Sequence, residues 1–262
     1  MSPTKIHWTD ETWNPTTGCD RTRFAGCEHC YALEYAGRLK LSGSRRYQRD
    51  GDPRTSGPGF GLTLHPDVLD KPRHWREPRR VFVNSMSDLG HPAIPDEFLA
   101  AIFDVMAETP RHTFQVLTKR PHRLRRFLEG YYGDCDHGGG YGPCRYCEPL
   151  PNVWIGTSVA VQSDADTLIP VLLEIPAAVR FVSAEPLLGP ITLKPEWLQG
   201  LSWLIAGGES GTEHRPMDLA WPRGLRDQCL ASGVAFFFKQ SSARYPGQGR
   251  ELDGRLWEEY PA

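Results

Sequence analysis

Three cysteines near the N-terminus have the residue type and spacing expected of a metal centre. Cys19, Cys27 and Cys30 follow the pattern C-x7-C-x2-C, just before a helical pattern that begins at Tyr31. Their odd number disfavours a disulfide framework, and three thiolates suit a metal centre that is one protein ligand short. A zinc ion would need a fourth protein ligand or a catalytic water, whereas an iron–sulfur cube held by three cysteines leaves one iron open. His29 lies between two closely spaced cysteines, so we expect its side chain to point away from the same metal.

Length and composition limit the kind of protein that carries this centre. With 262 residues, the chain can form two small domains or one α/β domain of barrel size. The formal net charge of −2 gives no overall sign of a nucleic-acid binder. The N-terminus lacks the apolar core of a signal peptide, and no window could span a bilayer, so we expect no membrane association. Free cysteines without an export signal indicate a reducing cytoplasm.

Short apolar runs alternate with helical patterns along the chain and predict repeated βα units. The runs are continuously apolar, as in parallel strands covered on both faces, and occupy residues 81–84, 113–117, 153–156, 180–182, 203–206 and 234–238. Polar residues follow nearly every run, at the end where a βα barrel builds its active site. With six such cases, one shared site at the mouth of a barrel is a better explanation than six loops that are polar independently of one another.

A second group of metal-ligand residue types lies in a Gly-rich segment between a helical pattern and the next strand. Cys135, His137, Cys144 and Cys147 form a Cys3His set that includes a C-x2-C knuckle. This is the closed, four-ligand pattern of structural zinc, and a segment with few apolar residues would take its folding energy from the metal. We predict a zinc-binding insertion at residues 131–151, with an auxiliary iron–sulfur cluster as the alternative. The seventh cysteine, Cys229, is expected to be a buried helix residue.

Six motifs, spread over nearly the whole chain, resemble a family of phage and bacterial proteins with a three-cysteine motif and no assigned reaction. The motifs are TWNPTTGC at 12–19, GCEHCYA at 26–32, SMSD at 85–88, LTKRP at 117–121, SAEPLLG at 183–189 and AGGESG at 206–211. That family is similar in turn to radical S-adenosylmethionine (SAM) enzymes. The resemblance implies one radical-SAM-like domain over residues 1–262, an α/β partial (βα) barrel of six or seven mostly parallel strands that carries the Cys/His-rich insertion.

The resemblance also implies which residues hold the cofactors. Cys19, Cys27 and Cys30 would bind a [4Fe-4S] cluster, and SAM would chelate its bare iron through the amino and carboxylate groups. An electron donor protein would reduce the cluster, which would cleave the sulfonium to give a 5′-deoxyadenosyl radical that takes hydrogen from a substrate. SAM or substrate binding is expected at the strand ends and at the aromatic residue after the last cysteine, namely Ser85, Asp88, Lys119, Arg120, Ser158, Glu185 and Tyr31.

Two features depart from the radical SAM pattern. The first cysteine gap is four residues longer than the common C-x3-C-x2-C spacing. The Gly-Gly-Glu that holds the SAM amino group in such enzymes usually follows the second strand, whereas here it comes much later, at residues 207–209. We therefore do not assign that role to Glu209, and Asp88 or Ser85 is the better candidate by position.

Two basic runs, at residues 71–80 and 119–126, raise the question of nucleic acid. Such runs are usually solvated faces, yet the second begins at a strand end, where it could grip phosphates. The hypothesis is a cytoplasmic radical SAM-like iron–sulfur enzyme with an unknown substrate, for which a nucleotide or nucleic acid is one candidate. The alternative is a non-enzymatic, zinc-stabilised nucleic-acid-binding protein. A zinc hydrolase that uses the N-terminal cysteines is less attractive, because thiolate-rich sites are mostly structural.

Overall fold

Strands and helices alternate along the chain in the computed structural model, which describes residues 4, 6–133 and 148–262. The strands in these residues are β1 (Glu11–Trp13), β2 (Thr16–Thr17), β3 (Thr63–Leu64), β4 (Arg80–Val83), β5 (Thr113–Thr118), β6 (Val153–Ser158), β7 (Val179–Ala184), β8 (Trp203–Gly207), β9 (Ala235–Gln240), β10 (Glu251–Leu252) and β11 (Arg255–Leu256). The α-helices are α1 (Tyr31–Leu41), α2 (Asp96–Glu108), α3 (Pro121–Gly133), α4 (Gln162–Leu173), α5 (Pro195–Gly200) and α6 (Ala220–Ser232).

Seven of the described strands form one parallel sheet. Their order is β1-β4-β5-β6-β7-β8-β9, and each neighbouring pair is parallel. Strands β1 and β9 are the two edges of the sheet, so it does not close into a full barrel. The predicted partial (βα) barrel of mostly parallel strands is therefore confirmed. All carboxyl ends of a parallel sheet lie on one side, which gathers the residues after the strands at one mouth.

Successive residues of each strand belong to two different cores, as the period of two requires. On the outer face, Leu204 of β8 and Phe236 of β9 belong to the large core that the helices cover. On the inner face, Phe82, Trp203 and Phe237 belong to a smaller, mainly aromatic core. Burial of both faces explains why the strand runs are continuously apolar.

The inner face changes from apolar to polar along the strands. Two residues after the inward Phe82 comes Asn84, and two residues after the inward Phe237 comes Lys239. On β7, the alternate residues Phe181, Ser183 and Glu185 follow the same change from apolar to polar, and Glu185 lies just past the end of the strand. The aromatic core therefore closes the inside of the barrel from below, and a polar ring lies above it at the carboxyl ends.

Helix α2 illustrates how the outer layer is specified. Asp96 and Glu97 occupy the first turn, where carboxylates interact favourably with the positive end of the helix dipole. Leu99, Ile102, Phe103 and other apolar residues at helical spacing are buried against the sheet. In the described part of the chain, no helix is both long enough and apolar enough to cross a membrane.

Candidate functional site

The loop between β2 and α1 carries the three N-terminal cysteines across the mouth of the barrel. We refer to residues 18–30 as the cysteine loop. At its start, Gly18 has a φ of 88°, and a Cβ at this position would collide with the carbonyl of Gly61. Glycine alone tolerates both constraints without strain. At the other end of the loop, Cys30 immediately precedes α1, and its carbonyl accepts the amides of Leu33 and Glu34.

All three thiols of the cysteine loop line one cavity of about 330 Å³ at the carboxyl ends of the strands. This volume is within the range of small-molecule sites. Six of the seven residues predicted to bind SAM or substrate also line it, namely Tyr31, Ser85, Asp88, Lys119, Ser158 and Glu185. The seventh, Arg120, does not line the cavity but contacts a cysteine from the side. The floor includes Trp8 and Phe82 of the inner aromatic core.

Arg120 joins Cys19 to a buried carboxylate. Its Nη1 donates to Cys19 Sγ at 3.3 Å and to Asp88 Oδ2 at 2.8 Å, and its Nη2 donates to the carbonyl of Asp20 at 2.8 Å. Burial raises the pKa of the Cys19 thiol to about 11, with Asp88 adding to the rise and Arg120 opposing it. The guanidinium thus supplies positive charge and a hydrogen bond to this sulfur.

Asp88 is fully occupied by protein donors. Its Oδ1 accepts from the amide of Gly90 at 2.9 Å and from the Thr118 hydroxyl at 2.5 Å. Its Oδ2 accepts from the amide of Lys119 at 3.1 Å and from Arg120. These four donors use the roughly four acceptor positions of a carboxylate. Asp88 therefore lies at the site as a support for its neighbours.

The ammonium group of Lys119 has no acidic hydrogen-bond partner in the described residues. Burial acts to lower the pKa of Lys119, but Asp88 and the three thiols outweigh it and raise this pKa. The ammonium also lies 5.4 Å from the centre of the Phe24 ring. Lys119 is therefore a cation that faces the cysteines and remains available to an anionic group in the cavity.

Asn84, which the sequence analysis did not single out as a ligand, is a second available group. It lines the cavity, is 2% exposed and has a φ of 62°. Its Nδ2 donates a hydrogen bond to the Thr16 hydroxyl. The Thr16 hydroxyl donates in turn to the Ser87 hydroxyl, and the Ser87 hydroxyl donates to the Gly18 carbonyl. This chain of donors fixes the orientation of the amide, and Oδ1 is left without a partner in the described residues. A buried acceptor of this kind favours a ligand with a donor group.

The far end of the cysteine loop is held by residues that follow β8. Arg215 donates to both carboxylate oxygens of Glu209, at 2.9 and 2.6 Å, and also to Glu28 Oε2 at 2.9 Å and the Ala25 carbonyl at 3.1 Å. His29 Nδ1 lies 3.2 Å from Glu209 Oε2, so its ring is engaged with this carboxylate. Burial acts to raise the pKa of Glu209, but the Arg215 hydrogen bonds outweigh it and lower this pKa.

Glu185 forms an ion pair at the wall contributed by β7 and β9. Lys239 Nζ lies 2.7 Å from Glu185 Oε2, and the Ser183 hydroxyl donates to Glu185 Oε1 at 3.1 Å. Both charged residues line the cavity.

Cys229 lies elsewhere, fully buried on α6. The predicted zinc ligands Cys135, His137, Cys144 and Cys147 lie outside the described residues.

Solved structures of spore photoproduct lyase resemble this chain only distantly. A structure of spore photoproduct lyase complexed with dinucleoside spore photoproduct is 13% identical, with a TM-score of 0.42, and the match covers 73% of this chain and 54% of that chain. A variant of the lyase with bound AdoMet and dinucleoside spore photoproduct is 12% identical, with a TM-score of 0.44 and coverage of 87% and 55%. Another lyase variant is 13% identical, with a TM-score of 0.46 and coverage of 79% and 57%.

The present chain spans little more than half of the length of these lyase chains. At such identities and TM-scores, the likeness carries no argument about activity. No curated protein matches the sequence. The model of one family, described as "Protein of unknown function (DUF5131)", matches residues 3–261. Because this match covers almost the entire sequence, the chain belongs to the DUF5131 family.

Proposed function

We propose that the protein is a radical SAM-like enzyme in which Cys19, Cys27 and Cys30 hold a [4Fe-4S] cluster. The observation that carries this proposal is the convergence of the three thiols on one cavity at the carboxyl ends of the parallel strands. Parallel βα folds place their reactive groups at this end. A cavity floored by aromatic residues and walled by strand-end polar groups suits a reaction that must exclude water.

The arrangement of the thiols fits a cluster better than a single ion. Within the described residues, no group of three or more His, Cys, Asp or Glu side chains is placed to hold one metal ion. Ligands of one zinc ion must all lie about 2.0–2.3 Å from the same point. Thiolates on a cube each bind a different iron and are correspondingly spread apart. The three cysteines line one cavity without forming a one-ion site among the described residues, which is compatible with the second requirement.

The chain's own residues offer complementary groups for SAM beside the cluster. Lys119 would pair with the carboxylate, since its ammonium lacks an acidic hydrogen-bond partner in the described residues. Asn84 Oδ1 would accept a hydrogen bond from the amino group, a role for which Asp88 has no free acceptor position. Glu185 would bind the ribose hydroxyls while Lys239 holds its other side. When bound, the cluster and SAM supply the radical chemistry that removes a hydrogen atom from the substrate.

Anaerobic reconstitution with iron and sulfide tests the proposal. We expect wild-type protein to bind cluster iron and, with a reductant, to release 5′-deoxyadenosine from SAM. Replacement of Cys19, Cys27 or Cys30 by Ala should abolish both. Cys229→Ala is the matched control, because this buried thiol lies away from the cavity, and it should keep the iron. Retention of cluster iron in all three variants would reject the ligand assignment.

The same preparation separates the enzyme from the alternative of a zinc-stabilised binding protein. A colourless protein that carries zinc alone, with or without affinity for nucleic acid, would overturn the enzymatic proposal. We also propose that residues 131–151 form a zinc-binding insertion. Cys144→Ser should lower the zinc content and leave cluster iron unchanged, whereas unchanged zinc would reject this second site.

A further inference from the structure

The basic runs that raised the question of nucleic acid are largely neutralised within the protein. Six of their eight arginines form ion pairs with nearby carboxylates, namely Arg73, Arg79, Arg80, Arg120, Arg123 and Arg125. Arg80 also begins β4 and therefore lies at the end of the sheet opposite the cavity. Cations without acidic partners that lie beside the cavity are therefore better candidates for phosphate contacts than these runs as a whole.

Such cations occur beside the cavity mouth. Arg21 lines the cavity, is exposed and forms no ion pair with any described residue. Arg23, two residues further along the cysteine loop, is also exposed and unpaired within the described part of the chain. Pro246, from the loop after β9, lines the same cavity. In that loop, the Arg244 guanidinium lies 5.6 Å from the Tyr245 ring centre and has no acidic partner among the described residues.

Exposed tyrosines occur on α1, directly after the cysteine loop, and in the loop after β9. Tyr31 is 56% exposed and lines the cavity, Tyr35 follows one turn later on α1 at 51%, and Tyr245 is 60% exposed. Within the described residues, no other tyrosine is among the exposed large hydrophobic side chains. Aromatic rings in water interact favourably with the π-faces of nucleobases. Arginines without acidic partners, beside exposed rings, provide the two contacts that single-stranded nucleic acid requires.

We propose that this mouth rim, formed by Arg21, Arg23, Tyr31, Tyr35, Arg244 and Tyr245, binds a single strand of nucleic acid. The arginines contact phosphates, the tyrosines stack on bases, and one unstacked base enters the cavity. Enzymes that modify a base must take it out of the stack in this way. The assignment of the strand as substrate rests on the proposed function, but binding by the rim does not.

Fluorescence anisotropy with a labelled single-stranded DNA of roughly 12 nucleotides tests the rim. Binding to the full-length protein is measured without SAM, with the matched duplex as comparison. We expect the single strand to bind more tightly than the duplex. Tyr245→Ala should weaken binding about tenfold, whereas Tyr245→Phe should retain it, because stacking needs the ring and not the hydroxyl. Leu256→Ala, which changes an exposed side chain that does not line the cavity, should have no effect.

The salt dependence tests the arginines independently. For a single strand, each phosphate contact contributes about 0.7 to the slope of log affinity against log salt. Arg21→Gln and Arg23→Gln should therefore each reduce the slope by about 0.7. Arg255→Gln is the matched control, since this guanidinium stacks on Trp257, 4.0 Å from the ring centre, and does not line the cavity. Its slope should equal that of the wild type.

Three outcomes would overturn the rim proposal. One is the absence of strand binding at low salt, and another is binding that no rim variant alters. The third is equal binding of poly-glutamate that depends on the arginines but not on Tyr245, which would identify a site for an acidic protein segment. Failure of the rim leaves 5′-deoxyadenosine release from SAM intact. Failure of SAM cleavage, with strand binding retained, would reject the proposed enzyme and not the rim.

Discussion

The two ends of the cysteine loop are attached to the barrel by different arginines. At the Cys19 end, Arg120 contacts the sulfur itself and pairs with Asp88, whose side chain is 4% exposed. At the Cys27–Cys30 end, Arg215 contacts Glu209, Glu28 and the Ala25 carbonyl but none of the sulfurs. Both arginines are distant from the cysteine loop in the sequence, yet both contact it in the fold.

This difference separates two kinds of support for a metal centre. A guanidinium bonded to a thiolate changes the charge and hydrogen bonding at the sulfur, which are properties that set the potential of an iron–sulfur cluster. A guanidinium bonded to flanking carboxylates and a carbonyl fixes the position of the loop without touching a ligand. We therefore expect Arg120 to affect both stability and potential, and Arg215 to affect mainly the holding of the loop.

The largest effect is expected from Asp88→Asn. The change leaves Arg120 without its buried partner and removes a charged acceptor for three further donors. Loss of one partner of a buried pair costs about 3–5 kcal/mol, and because Arg120 keeps some exposure we expect about 3 kcal/mol. Urea unfolding of the protein without added cofactors measures this loss.

Asp96→Asn provides the matched control for Asp88→Asn. Asp96 also pairs with an arginine, Arg123, but its side chain is 67% exposed. The Arg123 side chain is largely buried, at 12% exposure, but water reaches the carboxylate of the pair, so its loss should cost about 1 kcal/mol or less. Equal losses for the two variants would show that the Asp88 network gives no special support to the Cys19 end.

The next effect concerns the cluster potential after changes to Arg120. Arg120→Gln removes a positive charge beside Cys19, so the reduced, more negative cluster loses stabilisation and the midpoint potential should fall. Arg120→Lys keeps the charge but loses the planar fork, so we expect a smaller fall. Potentiometric titration followed by electron paramagnetic resonance measures the shift. Equal shifts in Arg120→Gln and Arg215→Gln would remove the distinction between the two ends.

The general fold could be predicted from the sequence because its signal is local. Continuous apolar runs identified the sheet strands β4 to β9, but the runs ended before several of the strands did. In β6 and β7, Ser158 pairs with Ser183, so these polar residues belong to the strands and not to loops after them. The backbone hydrogen bonds between neighbouring strands continue past the point at which the side chains become polar. A pattern of apolar residues does not reveal these last strand residues.

The site was predictable in its residues but not in its connections. The period of two places Asn84 on the inner face after Phe82, a local signal in the sequence that could have identified it. The contact of Arg215 with Glu28 joins residues 187 positions apart, and no spacing rule reaches that far. The Gly-Gly-Glu motif drew attention to Glu209, but only the fold shows that Arg215 and His29 occupy its carboxylate.

A smaller effect is expected from Arg215→Gln. The change leaves Glu209, whose side chain is 5% exposed, with His29 as its remaining side-chain partner. We expect a loss of about 1–2 kcal/mol in unfolding free energy, since a buried charged group loses its hydrogen bonds. Cluster iron per chain after reconstitution should also fall, while the potential of the remaining cluster stays unchanged.

Arg223→Gln is the control for Arg215→Gln. Arg223 forms an ion pair with Asp253 in which both side chains are well exposed, at 42% and 40%. It should keep the wild-type iron content and nearly all of the stability. Full iron content in both variants would show that the Cys27–Cys30 end needs no anchor after β8.

The smallest effect is the pH dependence of the Glu209 anchor. The Arg215 hydrogen bonds lower the pKa of Glu209 below its ordinary value of 4.5, so the folded protein binds this proton less readily than the unfolded chain does. The contribution to stability is therefore fully present above about pH 4.5 and is lost as the pH falls through the lower folded-state pKa.

Comparison of wild type with Glu209→Gln separates the contribution of Glu209 to stability from those of the other carboxylates. The difference in unfolding free energy between the two proteins should be constant from pH 7 to about pH 5 and should shrink below pH 4.5. A difference that stays the same down to pH 3 would mean that the charge of Glu209 contributes nothing. Neutral contacts would then hold the far end of the cysteine loop. The contact of Arg120 with the Cys19 sulfur would be the one remaining difference between the two ends.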